Sequence, residues 1–223
     1  MRQTTGDLIY EKLRTGILYL RREPGAELNL TELCEEFDVS RSPVRDALVR
    51  LREDGLVDLR PQRGCRITKI DLGLVDEELF LRQSLEKGVL LRCRDSLKRS
   101  DVARMEYYIQ LQREAAENED REAFFTAMDS IYEVLYRSAG LERTWSLIQC
   151  ETGNHRRLCV LSMSGAEGLE RAIKEEEQLV GALKAGDFDL AASLDADSLC
   201  IPEDRLEEIT GSYPEYFISR RTE

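Results

Sequence analysis

The stretch "DVSRSPVRDALVRLREDGLV" (residues 38–57) decides the fold. It sets Ser40 and Ser42 around Arg41, passes through Pro43, and continues with Val44, Ala47, Leu48 and Leu51 at the spacing of a helix with one apolar face. Ser42 reads as the N-cap with Pro43 at the first helical position, and Gly55 as the stop. Two arginines, Arg41 and Arg45, stand at the start of this helix, where the backbone dipole is already positive and an acid would be the stabilising choice. Guanidinium groups placed there call for an anion from outside the chain.

The flanking residues complete a unit. Residues 5–20 carry Leu8, Ile9, Leu13, Ile17 and Leu20 at helical spacing, and Pro24-Gly25 breaks the pattern. "LTELCEEF" (residues 30–37) predicts a short second helix with Thr31 as N-cap and Leu33 and Phe37 facing inward; Asp38 and Val39 make the turn. Beyond Gly55, residues 56–60 and 65–69 have strand character, with a turn from Pro61 to Gly64. Three helices and a hairpin predict a winged helix-turn-helix DNA-binding domain over residues 1–70. In that layout Arg41 and Arg45 meet bases or phosphates of double-stranded DNA, and Thr31, Ser40 and Ser42 are suited to phosphates. Arg63 and Gly64, at the hairpin tip, reach the minor groove or the backbone.

Strand signals vanish after residue 75. Helical stretches are expected at 75–96, 99–118, 121–139, 141–162, 166–185, 187–199 and 202–210, an all-α bundle over residues 71–223 able to enclose a pocket. Residues 69–73, "KIDLG", read as the hinge. The net charge of −12 is unevenly spread: residues 1–70 hold 13 Lys+Arg against 12 Asp+Glu, the rest 19 against 32. That is a basic reader on an acidic body. No run is long and apolar enough to span a membrane, and the N-terminus lacks an apolar signal core, so a cytoplasmic protein is expected. Six cysteines without a CxxC pair read as reduced, mostly buried thiols.

"PGAEL" (24–28), "VSRSPVRDALVRLREDGLV" (39–57) and "PQRGCRIT" (61–68) resemble the DNA-binding domain of the GntR family of bacterial transcription regulators. The helical remainder resembles the FCD ligand-binding domain of the FadR subfamily. The resemblance implies a homodimer on a near-palindromic operator, modulated by a small effector such as an organic acid. It also implies an Arg82–Glu86 R-x-x-x-E pattern and, in many members, a divalent metal on one Asp and three His. Here those four positions hold Met128, Tyr132, Glu176 and Ser198, with Asp129 one residue out of register, and His155 is the sole histidine. No metal cofactor is therefore expected, a residual Asp129–Glu176 carboxylate pair being the alternative. Candidate effector contacts are Arg82, Tyr132, His155, Arg156, Arg157 and Glu176, with an organic acid or an acyl compound as ligand. No phosphate loop or catalytic triad supports an enzyme. The alternative to an effector-responsive regulator is one with a degenerate pocket, constitutive or responsive to cysteine oxidation.

Overall fold

The computed structural model describes residues 4–60 and 64–218. Its N-terminal part consists of α1 (Thr5–Leu18), β1 (Glu27–Leu28), α2 (Leu30–Phe37), α3 (Arg41–Glu53), β2 (Val57–Arg60) and β3 (Gly64–Ile67). The strands form an antiparallel sheet in the order β1-β3-β2, with Val57 opposite Ile67 and Glu27 opposite Arg66. Leu13, Ile17, Val44 and Leu51 are fully enclosed where α1 crosses α3, and Leu33, Val57 and Ile67 close the same core. This is a winged helix-turn-helix, its wing the β2–β3 hairpin.

Several boundaries differ from the sequence reading. The first helix stops at Leu18, because Leu20 takes the left-handed conformation at φ 60°, and Leu8 is 48% exposed instead of inward. Asn29, not Thr31, caps α2, its side chain accepting from the Thr31 amide at 2.8 Å. Ser40, not Ser42, is the N-cap of α3, which places Pro43 third in the helix. Proline is tolerated there because the first-turn N–H groups have no intrahelical acceptor in any case. The two-residue β1 was not foreseen; it is too short to show alternation.

The remainder is helical: α4 (Leu72–Cys93), α5 (Arg99–Glu117), α6 (Arg121–Ser138), α7 (Glu142–Glu151), α8 (Gly153–Ser162), α9 (Ala166–Ala185), α10 (Phe188–Ser198), α11 (Glu203–Ser212) and a 3-10 turn at Pro214–Tyr216. The expected 141–162 helix is two, broken at Thr152 (φ −118°, ψ 39°), and α4 begins three residues earlier than expected. Helix α6 packs on α5, α5 on α9, α9 on α10, α10 on α4, and α4 back on α6, closing a ring. Phe124, Phe125, Ile131 and Tyr136 of α6 are completely enclosed.

The expected hinge is held on two sides. Ile70 is fully buried; its N–H donates to the Tyr216 carbonyl at 2.8 Å and its carbonyl accepts from the Ile218 N–H at 2.9 Å. The Asp71 N–H donates to Asn154 Oδ1 at 3.1 Å, and Arg157 Nη1 donates to the Thr68 carbonyl at 2.5 Å.

Candidate nucleic-acid interface and effector cavity

On α3, Arg41, Arg45 and Arg52 recur at i, i+4 and i+11, so they share one side of the helix. All three are exposed, and among the described residues none enters an ion pair. Arg50, on the opposite side of the helix, is used internally: it pairs with Asp7 at 2.8 Å and lies over the Tyr10 ring at 3.8 Å. The first turn of α3 contains no acid, and the Ser40 side chain makes no capping bond, leaving its hydroxyl and the first amides open. Arg45 and Arg52 line a groove of about 770 Å³ between α3 and the wing, with Arg60, Gly64 and Asn29 on its other walls. Thr31 and Ser42 are exposed. Gly64 has φ 86° with open space where a Cβ would stand, which suits close approach of the wing to a ligand. Arg63 lies outside the described residues. Arg52 was missed by the sequence reading, although its register with Arg45 was available to find it.

Inside the ring, a cavity of about 40 Å³ is lined by Arg82 of α4, Met128 and Tyr132 of α6, Arg156 and Cys159 of α8, Glu175 and Glu176 of α9, and Ser198 of α10. The four positions that the resemblance assigns to metal ligands therefore meet on one wall system. Arg82, Tyr132, Arg156 and Glu176 also lie where the sequence reading expected effector contacts. Arg82 is bonded to Glu86 through Nε at 2.8 Å and Nη2 at 2.7 Å. Arg156 is paired with Asp129, whose other oxygen accepts from the Tyr19 hydroxyl at 3.3 Å. Burial pushes the Glu176 carboxyl up to about 8 and raises the Tyr132 phenol.

His155 and Arg157 do not line the cavity. His155 is buried with Nε2 3.0 Å from the Leu199 carbonyl, and burial lowers its pKa to about 3, which keeps it neutral. Arg157 faces the linker. The cavity donors do not suit a divalent cation: a thioether, a hydroxyl, a phenol, and a thiol and two carboxyls that burial pushes toward their protonated forms, beside two guanidinium groups. Asp129 does not line the cavity with Glu176, being occupied by Arg156 and Tyr19. Among the described residues no three His, Cys, Asp or Glu side chains cluster as a metal site. All six cysteines are free; Cys65 and Cys93 are buried with thiols pushed up to about 11, while Cys200 is exposed.

One short helix touches both the winged domain and the cavity. The backbone of α8 abuts the winged domain at Gly153, where an added Cβ would lie 2.9 Å from Leu56 Cδ2. Its Asn154 and Arg157 hold the linker, and its Arg156 and Cys159 face the cavity. From the winged domain, the Tyr19 ring stacks on Phe125 at 5.4 Å while its hydroxyl reaches Asp129. Tyr19, Asn154 and Glu78, which accepts from Asn154 Nδ2 at 2.8 Å, were not singled out by sequence, because a junction between domains has no periodicity to betray it.

A winged helix presenting unpaired arginines, joined to a helical ring with an internal cavity, defines a DNA-binding regulator class. Residues 5–67 match bacterial regulatory proteins of the gntR family, and residues 77–196 match the FCD domain. The chain belongs to the GntR family and carries an FCD domain; it is a transcription regulator, not an enzyme. It is 30% identical over 187 residues to the HTH-type transcriptional repressor RspR of Escherichia coli K12, covering 84% of this chain and 82% of that one. A solved putative transcriptional regulator GntR from Rhodococcus sp. RHA1 is 25% identical, with a TM-score of 0.73 over 93% of this chain and 98% of that one. The E. coli McbR/YncC structure shares the fold at 19% identity, with a TM-score of 0.77 over 94% and 99% of the two chains. No helix among the described residues is long and apolar enough to cross a membrane.

Proposed function

We propose that this regulator is an effector-responsive repressor, acting as a homodimer on a near-palindromic operator. Arg41 and Arg45 read bases and phosphates, Ser40, Ser42 and Thr31 hold phosphates, and the Arg63–Gly64 wing supports them. Arg52 extends the same side of α3 toward the wing. Repression is carried over from the name of RspR. The observation that carries DNA reading is the row of exposed arginines on α3 that enter no ion pair among the described residues, behind a first turn without acids. The effector occupies the ring cavity without a resident metal. Its binding displaces Arg156 or its neighbours, α8 shifts, and the grip of Asn154 and Arg157 on the linker re-aims the winged domains, so that half-site spacing no longer fits.

The test is Arg45→Ala against a duplex selected by the wild-type protein from a random library. Losing a bidentate base contact costs about 1–3 kcal/mol of specific binding, roughly 5- to 160-fold in Kd, with less effect on non-specific DNA. Unchanged specific affinity in a salt titration refutes the assignment.

A further inference from the structure

The charges around the cavity are unequal. Its two cations are already matched: Arg82 holds Glu86, and Arg156 holds Asp129. Two acids remain without a cation, Glu176 in the wall and Asp195, which sits by Glu86 and Tyr132; Glu175, also in the wall, pairs with Arg171. The buried atoms lacking partners tell the same story. Glu176 Oε2, Glu86 Oε2 and Asp195 Oδ1 have none. Glu176 is only 5% exposed, so solvent does not satisfy it. Around the cavity four acids, Glu86, Asp129, Glu176 and Asp195, face two guanidinium groups, and a buried carboxyl oxygen left unpaired is costly.

We propose that the cavity takes a small aliphatic ammonium compound, its nitrogen seated on Glu176 and its chain against Met128, Met163, Ala172 and Leu199. The proposal rests on reading this cavity as the effector site. An ammonium group brings three donors and one positive charge in a compact head. A volume of about 40 Å³ admits a group the size of a few waters, which suits a short amine and not a long acyl chain. A carboxylate would add a further acid to surroundings where acids already outnumber cations. An ammonium group favours the ionised form of the one carboxyl it sits on, whereas a divalent cation needs several ionised oxygens and meets two arginines besides.

The experiment titrates the full-length protein by calorimetry with three isosteres at equal ionic strength: n-propylammonium chloride, n-propanol and sodium propionate. Expected is saturable heat for propylammonium alone, weakened at least tenfold in Glu176→Gln, whose folding is checked by circular dichroism. Wild-type protein binding propionate or propanol, with propylammonium inert, overturns the ligand class and leaves the cavity as effector site. Propylammonium binding equally well to Glu176→Gln overturns its seat on that residue. No heat from any of the three overturns both the ligand class and the cavity as a small-effector site.

Discussion

Replacing Glu176 by glutamine should make the protein more stable, and more so the higher the pH. The carboxyl sits at about 8 in the folded state against 4.5 for an ordinary glutamate, with burial as the largest cause. A carboxyl raised by folding reverses the usual acid case: the native state keeps a proton that the unfolded chain releases. Stability is therefore full below about 4.5 and is lost as pH climbs toward 8. At ~1.4 kcal/mol per pH unit, the ionisable group removes about 1 kcal/mol at pH 5, about 3 at pH 7 and about 5 at pH 9. Glutamine, which cannot ionise, escapes that loss, while any change in hydrogen bonding adds an offset that does not vary with pH. Urea denaturation of both proteins at pH 5, 7 and 9, at one fixed protein concentration, isolates the effect because every other group cancels in the difference. The gap between the two should widen by about 4 kcal/mol from pH 5 to pH 9. A gap that stays flat would mean that water reaches Glu176, and the burial argument would collapse.

His155 gives the opposite sign. Its folded value of about 3 lies below the ordinary 6.5, so stability is lost as pH falls from 6.5 toward 3, by about 3 kcal/mol at pH 4.5. His155→Gln should flatten that acid limb; identical limbs in the two proteins would refute it. Gly168→Ala places a Cβ 2.8 Å from Met163 Cα, a backbone atom that cannot turn aside, and should cost about 1–3 kcal/mol in a thermal melt. Gly181→Ala, inside α9 with nothing within 4 Å of the new methyl, should instead gain about 1 kcal/mol. Asn154→Ala removes one acceptor shared by the Asp71 amide and Arg157, and should destabilise by about 1–3 kcal/mol.

The reader was legible because its residues carry local rules. Pro43, the apolar stripe from Val44 to Leu51 and Gly55 each constrain the chain within a few positions, so the winged helix and its arginines could be placed from sequence. The caps slipped by two residues at both α2 and α3, because several polar residues compete for each cap and only packing selects among them. The cavity was partly legible: Arg82, Tyr132, Arg156 and Glu176 were found, yet nothing local distinguishes Arg156 from Arg157. Adjacent on α8, one turns to Asp129 and the other to Thr68, a choice made by what lies on each side of the helix. The charge state of the pocket was illegible, since it depends on which acids the arginines have already taken.

The strapping of the linker bears on how such a protein can be cut and rejoined. The winged domain looks like a module ending at residue 70, but the Thr68 carbonyl and the Asp71 amide find partners on Asn154 and Arg157, more than eighty residues downstream. A chimera spliced at residue 70 onto an unrelated sensor would strand the Thr68 carbonyl, lose the tie from Asp71 to Asn154 and leave Leu56 without the glycine against which it packs. The exchangeable unit is discontinuous: residues 4–70 together with the face of α8 that carries Gly153, Asn154 and Arg157.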